Sequence, residues 1–413
     1  MNSIHSGRRV HYWRTRRRIA RAEFARLMGK SLRWVEELEG GRRQADPQWS
    51  VIQLAALRLS ITPERLMAEA IDAECVRASQ IDAVRAALQR HDVITGSCDD
   101  CFAHPAPVPA LYRQLTYART GFQAGHFAQL GSEIPALLVD ATRAAQHHRG
   151  DDRLAAYEVL SLALELTEAA AIKWGDTELG VIAGHRAVTA AEQSQNPVIM
   201  ASAARHLGDA MTNHGQAAAA AEFVLTAARR LEPDLLRSGP DGYSVLGMLY
   251  LKAAMAAAAA SEADNRHPAR YARRVPDYLD EAGEHAARLG GDDNRLWTSF
   301  GPTNVSLYRV AAHVHLSEGA EAVAVAADIP GDAVENLPRE RRAHLLTDRA
   351  IGETQAGLRA RAVETLLEAD DLAPEEVRCR PRTKAHIEDL RLLGAGSAEG
   401  RLRLLADRCG LPR

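Results

Sequence analysis

Two stretches of this chain share one spacing of small and bulky residues. Gly208, Ala220 and Ala227 stand at the same separations as Ala350, Ala362 and Ala369, with bulky Val224 and Leu366 at matching places. Leu207 precedes the first set and Pro233 closes it, while Pro374 closes the second. Repetition at a fixed period is the signature of stacked supersecondary units, none of which can bury its apolar face alone. Small residues at fixed positions let the two helices of a unit approach closely. Looser helix pairs are expected at 111–125 with 127–147, 152–174 with 177–191, 243–260 with 267–289, and 303–317 with 320–327. Abundant alanine and only 5% aromatic residues agree with helix rather than strand.

The charge is divided unevenly. Residues 1–66 hold fourteen Lys and Arg against six Asp and Glu, a surplus of eight, so the rest carries −11 of the total of −3. A basic head on an acidic body suits a head that meets a polyanion. The apolar share of 46% excludes a disordered polyelectrolyte. No continuous apolar run long enough to span a membrane is read, and no apolar stretch follows the first residues as in a secretory signal. Five scattered cysteines suggest reduced thiols and a cytoplasmic location.

The head reads as short helices. A first helix is expected over 6–18, with Val10, Trp13 and Arg17 near one face. A second fits 21–28, with Phe24, Ala25 and Met28 inward. Gly29 supplies the turn, and Ser31 caps a third helix over 32–39 with Val35 and Leu38 inward. Gly40-Gly41 ends it, Arg42-Arg43 follows, and a further helix covers 47–59.

The run Phe24-Ala25-Arg26-Leu27-Met28-Gly29-Lys30-Ser31 and then Trp34-Val35-Glu36-Glu37-Leu38-Glu39-Gly40-Gly41-Arg42-Arg43 resembles the Xre/Cro/C1-type helix-turn-helix repressors. The resemblance covers roughly residues 7–70. It implies that the third helix enters the major groove of double-stranded operator DNA and that Arg42 and Arg43 touch phosphate. Candidate DNA-binding residues are therefore Arg21, Ser31, Leu32, Arg33, Trp34, Glu36, Glu37, Arg42 and Arg43. Arg33 is the candidate for guanine recognition, and Glu36 and Glu37 could accept from cytosine. Alternatively, these acids are solvated or pair with Arg33 and Arg42.

The body, 109–413, resembles a tetratricopeptide superhelix. The expected fold is all-α, with a helix-turn-helix domain at 1–71, a linker helix and Pro-rich hinge at 72–108, and repeats thereafter. The combination is similar to regulators common in actinobacteria and, in plan, to peptide-sensing regulators of Gram-positive bacteria. It implies a homodimer whose repeats take a peptide or protein effector in a concave groove. Tyr117, Arg119, Asn213, Asn304 and Arg309 are the candidate effector contacts, the last two in the distinctive stretch 296–309. A small-molecule effector remains open, as does an interaction scaffold with a degenerate head.

In the hinge, Cys98, Cys101 and His104 form a C-x₂-C-x₂-H run. Zinc needs four ligands, and no second cysteine pair accompanies them, because Cys75, Cys379 and Cys409 stand apart. A plain linker is expected and no cofactor or metal. Phosphate-loop, G-x-S-x-G and H-E-x-x-H motifs are not found, so no catalysis is expected.

Overall fold

A computed structural model of the chain describes residues 10, 14, 19–39, 49–59, 75–91, 105–264 and 267–411. The chain divides into two compact units, Met1–Glu74 and Cys75–Arg413. Among the described residues the regular structure is helix, and a single bridge between Asp293 and Phe300 is the one extended pairing.

The head contains α1 (Arg21–Met28), α2 (Leu32–Glu39) and α3 (Trp49–Arg58). Phe24, Met28, Val35, Leu38 and Ile52 form its core together with Val10 and Trp34. Gly29 closes α1 at φ 62°, in the left-handed region, as the expected turn requires. The Ser31 hydroxyl accepts from the Trp34 amide at 3.2 Å, which satisfies one of the open donors of α2. Of the expected first helix, Val10 and Arg14 lie within the described residues, and both are buried. Arg42 and Arg43 lie outside them.

The second unit begins with α4 (Ala78–Leu88), α5 (Val108–Gln123), α6 (Phe127–His147), α7 (Gly150–Trp174), α8 (Thr177–Ser194), α9 (Pro197–Asn213) and α10 (Ala217–Arg237). It continues with α11 (Gly239–Ala263), α12 (Ala269–Ala272), α13 (Val275–Leu289), α14 (Pro302–His315), α15 (Gly319–Asp328) and α16 (Gly331–Glu335). It ends with α17 (Arg339–Gln355), α18 (Arg359–Leu372), α19 (Pro374–Arg378), α20 (Pro381–Leu393) and α21 (Glu399–Arg408). Antiparallel pairs stack in chain order, giving an all-helical, tetratricopeptide-like superhelix.

The repeat spacing has a direct packing cause. A Cβ on Gly208 would lie 2.2 Å from Val224 Cγ1, so the bulky position of the second helix seats on the bare backbone of the first. Ala350, Ala362, Leu366 and Ala369 are fully buried in the same relation. Two details differ from the sequence reading. At the third small position of that unit, Ala228 rather than Ala227 is fully buried. Pro233 does not close its unit: α10 runs through it to Arg237, forgoing one backbone hydrogen bond.

The linker helix is part of the stack. Val84 and Leu88 of α4 are buried in one core with Leu111, Leu115, Leu130 and Ile134. The structure therefore divides the chain at 74/75, close to the expected 71, but assigns the helix beyond it to the superhelix. Cys98, Cys101 and His104 lie outside the described residues. Cys75 and Cys379, expected as separate thiols, are joined in a disulfide, because the fold brings chain positions 304 residues apart together.

That bridge is one of several closures. The Lys173 ammonium of α7 donates to Glu340 of α17 at 2.6 Å and to Glu376 of α19 at 2.8 Å. The Ala128 amide of α6 donates to Glu375 at 2.8 Å. The first layers thus touch the last ones, and the superhelix is a ring rather than an open groove. In the wall, α11 is long and apolar enough to cross a bilayer, contrary to the sequence reading, which saw only broken apolar runs. Its apolar stretch is 78% buried inside the fold, as a core helix flanked on several sides requires.

Candidate functional site

The inner side of the ring forms a partly open cavity of about 250 Å³. Its helical wall comes chiefly from the first helix of each pair: α5, α7, α9, α11, α14 and α17, with Arg380 and Arg382 beside α20. The second helices α6, α8, α10, α13, α15 and α18 contribute no lining residue. Small residues on the inner helices bring the layers close, and the longer side chains between them project inward.

Those longer side chains are cationic to an unusual degree for an interior. Seven Lys or Arg line the cavity, and carboxylates stand against six. Lys252 pairs with Asp209 at 2.8 Å, Arg341 with Glu340 at 3.3 Å and Arg382 with Asp348 at 3.6 Å. Arg119 donates to the Leu162 carbonyl at 2.8 Å and lies 3.4 Å from Glu165, with its guanidinium 5.3 Å over the Trp297 ring. Arg205 is the exception. It is 5% exposed, and among the described residues it has no ion pair or hydrogen bond.

The titratable groups register this field. Burial alone would raise the Tyr308 phenol, but Lys252 and Arg341 beside it hold it below its ordinary value. Burial and the adjacent cations, Arg205 first, push the His206 imidazole well below its usual range. Burial, with Asp209 nearby, pushes Glu168 well above the carboxylate range. His206 Nδ1 and Glu168 Oε2 are 2.5 Å apart, within hydrogen-bond distance. Burial lowers the Arg119 guanidinium to about 10.

Glu340, His344 and Glu376 place three ligand atoms within 4.8 Å of one another, as a metal site would. The Lys173 ammonium already sits between the two carboxylates, and Arg380 donates to Glu376 at 2.5 Å. A divalent cation there would meet two fixed positive charges. The cluster is therefore an ion network that closes the ring.

The structure separates the five expected effector contacts. Arg119 lines the cavity. Asn213 lies at its edge and donates to the Asp209 carbonyl at 2.9 Å. Tyr117 is turned about 200° around α5 from Arg119 and is 65% exposed outside the cavity, bonded to Gln129. Asn304 is fully buried and does not line a groove: its amide donates to the Thr298 carbonyl at 3.4 Å and supports the loop before α14. Arg309 faces α13, paired with Asp280 at 2.7 Å. That loop carries Leu296, Trp297 and Ser299 at positive φ, and it seats Phe300 on Gly247. Sequence reasoning missed Arg205, Lys252, Arg341, Tyr308 and Trp297. The available signal was Arg205-His206 and Lys252 interrupting alanine-rich helices.

In the head, Leu32, Arg33 and Glu36 share the exposed face of α2, with Ser31 at its start. Trp34 does not: at 9% exposure it belongs to the core, turned inward beside Val35. Arg33 donates to Glu37 at 3.0 Å. Arg21 donates to the buried Glu39 at 2.9 Å, and Arg14 does so at 2.5 Å.

No protein-family model matches the chain, and no curated protein does. Among solved structures it is similar to the TPR2AB-domain:pHSP90-complex of yeast Sti1, at 15% identity, over 73% of this chain and 99% of that chain, with a TM-score of 0.22.

Proposed function

We propose that this chain is an interaction protein whose superhelix binds an effector in the central cavity. The observation that carries the reading is the lining itself: inner helices from successive layers converge on one cavity and bring seven Lys or Arg side chains to it, where a purely structural stack would place apolar ones. In the finer reading the head binds double-stranded DNA, which makes the protein an effector-responsive transcriptional regulator acting in the cytoplasm as a homodimer. The Gly29 turn, the Ser31-capped α2 and the exposed Leu32, Arg33 and Glu36 support that reading.

The Arg33–Glu37 pair favours the second reading, an interaction scaffold with a degenerate head, because it occupies the best base-reading side chain with an acid. Retardation of promoter DNA across a salt series separates the two. Binding that weakens steeply as salt rises supports the regulator. Absence of retardation at low salt leaves the scaffold. Effector-driven change requires different affinity for two states, so the effector should shift the DNA affinity it meets.

A further inference from the structure

Resting on the reading of the cavity as the binding site, we propose that its ligand is a small organic oxyanion, a phosphorylated or carboxylated metabolite whose anionic group seats on Arg205. Six of the seven cationic side chains in the lining are answered by carboxylates, and Arg205 is not. Its Nε is buried without a partner among the described residues, and the side chain is 95% withdrawn from solvent, leaving 5% exposure. Glu165 and Glu168 act on Arg205 only from beyond ion-pair distance, and a buried guanidinium with no directly bonded anion is costly, so its unfilled Nε–H leaves a place for one. A planar guanidinium matches carboxylate and phosphate by paired hydrogen bonds.

The surroundings agree. Arg119 and Lys252 add positive potential, and the lowered Tyr308 phenol reports it. Thr212 and Asn213 offer neutral hydrogen-bonding groups, while Met255 and Leu307 give the cavity an apolar side. The ligand is thus an anion with an organic body. At about 250 Å³ the space falls just below the range of about 300–1,000 Å³ that holds drug-sized ligands. The Lys173 closure of the ring and the small volume favour a compact ligand over an extended peptide.

The test uses the full chain, with ionic strength held constant by chloride. Thermal melting and calorimetric titration are run with inorganic phosphate, glycerol phosphate, succinate and a short acidic peptide. A saturable rise in Tm with phosphate compounds, with succinate, or with both is expected, and the stronger arm identifies the anionic group. Arg205→Met should weaken that binding by at least about tenfold. Arg205→Lys, which keeps the charge and loses the fork, should bind with intermediate affinity and serves if the first variant does not fold. Unchanged affinity in both variants overturns the proposal. A peptide that binds while the small anions fail leaves the cavity as the binding site and removes the oxyanion class. Failure of every probe removes both.

Discussion

The head and the superhelix use the same device in different surroundings. In each, one buried carboxylate stands between two cations. Glu39 of the head accepts from Arg14 and Arg21, and the Arg21 side chain is half exposed at 49%. Glu376 of the superhelix accepts from Lys173 and Arg380, whose side chains are 6% and 11% exposed. Among the described residues the head has one small core and carries Leu32, Arg33 and Glu36 on an exposed face. The superhelix folds its charges into a ring interior. A small domain has too little interior to hold a polar cluster, whereas a stack of layers leaves space at its axis.

The largest expected effect breaks the deeper node. Glu376→Ala strands two buried cations and should cost about 3–5 kcal/mol, read as a lower denaturant midpoint for the superhelix transition. Next comes acid. Burial holds His386 at about 4, against an ordinary 6.5. Between those values the unfolded chain takes up a proton that the folded chain refuses. Stability is therefore complete above pH 6.5 and is lost as pH falls toward 4, by about 3 kcal/mol at most. His285, also lowered to about 4, acts in the same direction. No histidine lies among the described residues of the head, so melting followed from pH 7 to 4 should destabilise the superhelix first. An equal loss in both units would remove this distinction.

Glu39→Ala tests the shallower node. Water reaches Arg21, so the loss should be about 1–3 kcal/mol and confined to the head transition. A loss equal to that of Glu376→Ala would show that exposure is not what separates the two nodes. The smallest change in stability, within about 0.5 kcal/mol, is expected for Arg33→Ala on the surface of α2. Its effect should appear on DNA instead, as relaxed base preference, while Arg43→Ala should weaken binding to all sequences alike. Titration against matched and scrambled sites distinguishes these, and equal losses on all sequences from both variants would sink the distinction.

The helical layers were legible because their signals are local. Gly29, Ser31 and the inward Phe24, Val35 and Leu38 follow from turn chemistry and helical spacing. Gly208 with Val224 follows from a period along the chain. The candidate site was less legible. Arg119 was found as a polar residue on an inner helix. The same reasoning selected Tyr117, whose place on the helix points it outward, and Asn304, whose polar group supports a neighbouring loop. Arg205 reads in sequence as one more arginine in an arginine-rich chain. Its significance is the lack of a directly bonded partner among the described residues, and that depends on what the neighbouring helices bring beside it.

Sequence by itself determined that the chain is all-helical, that a basic head precedes an acidic stack, and the approximate course of most layers. Those properties depend on contacts within about one repeat length. Tertiary structure decided that the stack closes into a ring, that Cys75 meets Cys379, and that six cations of the cavity are paired while Arg205 is not. Small rotations between successive layers accumulate along a stack, and no single repeat encodes their sum. The pairing of Lys173 with Glu340 and Glu376 across the ring is where that sum becomes visible.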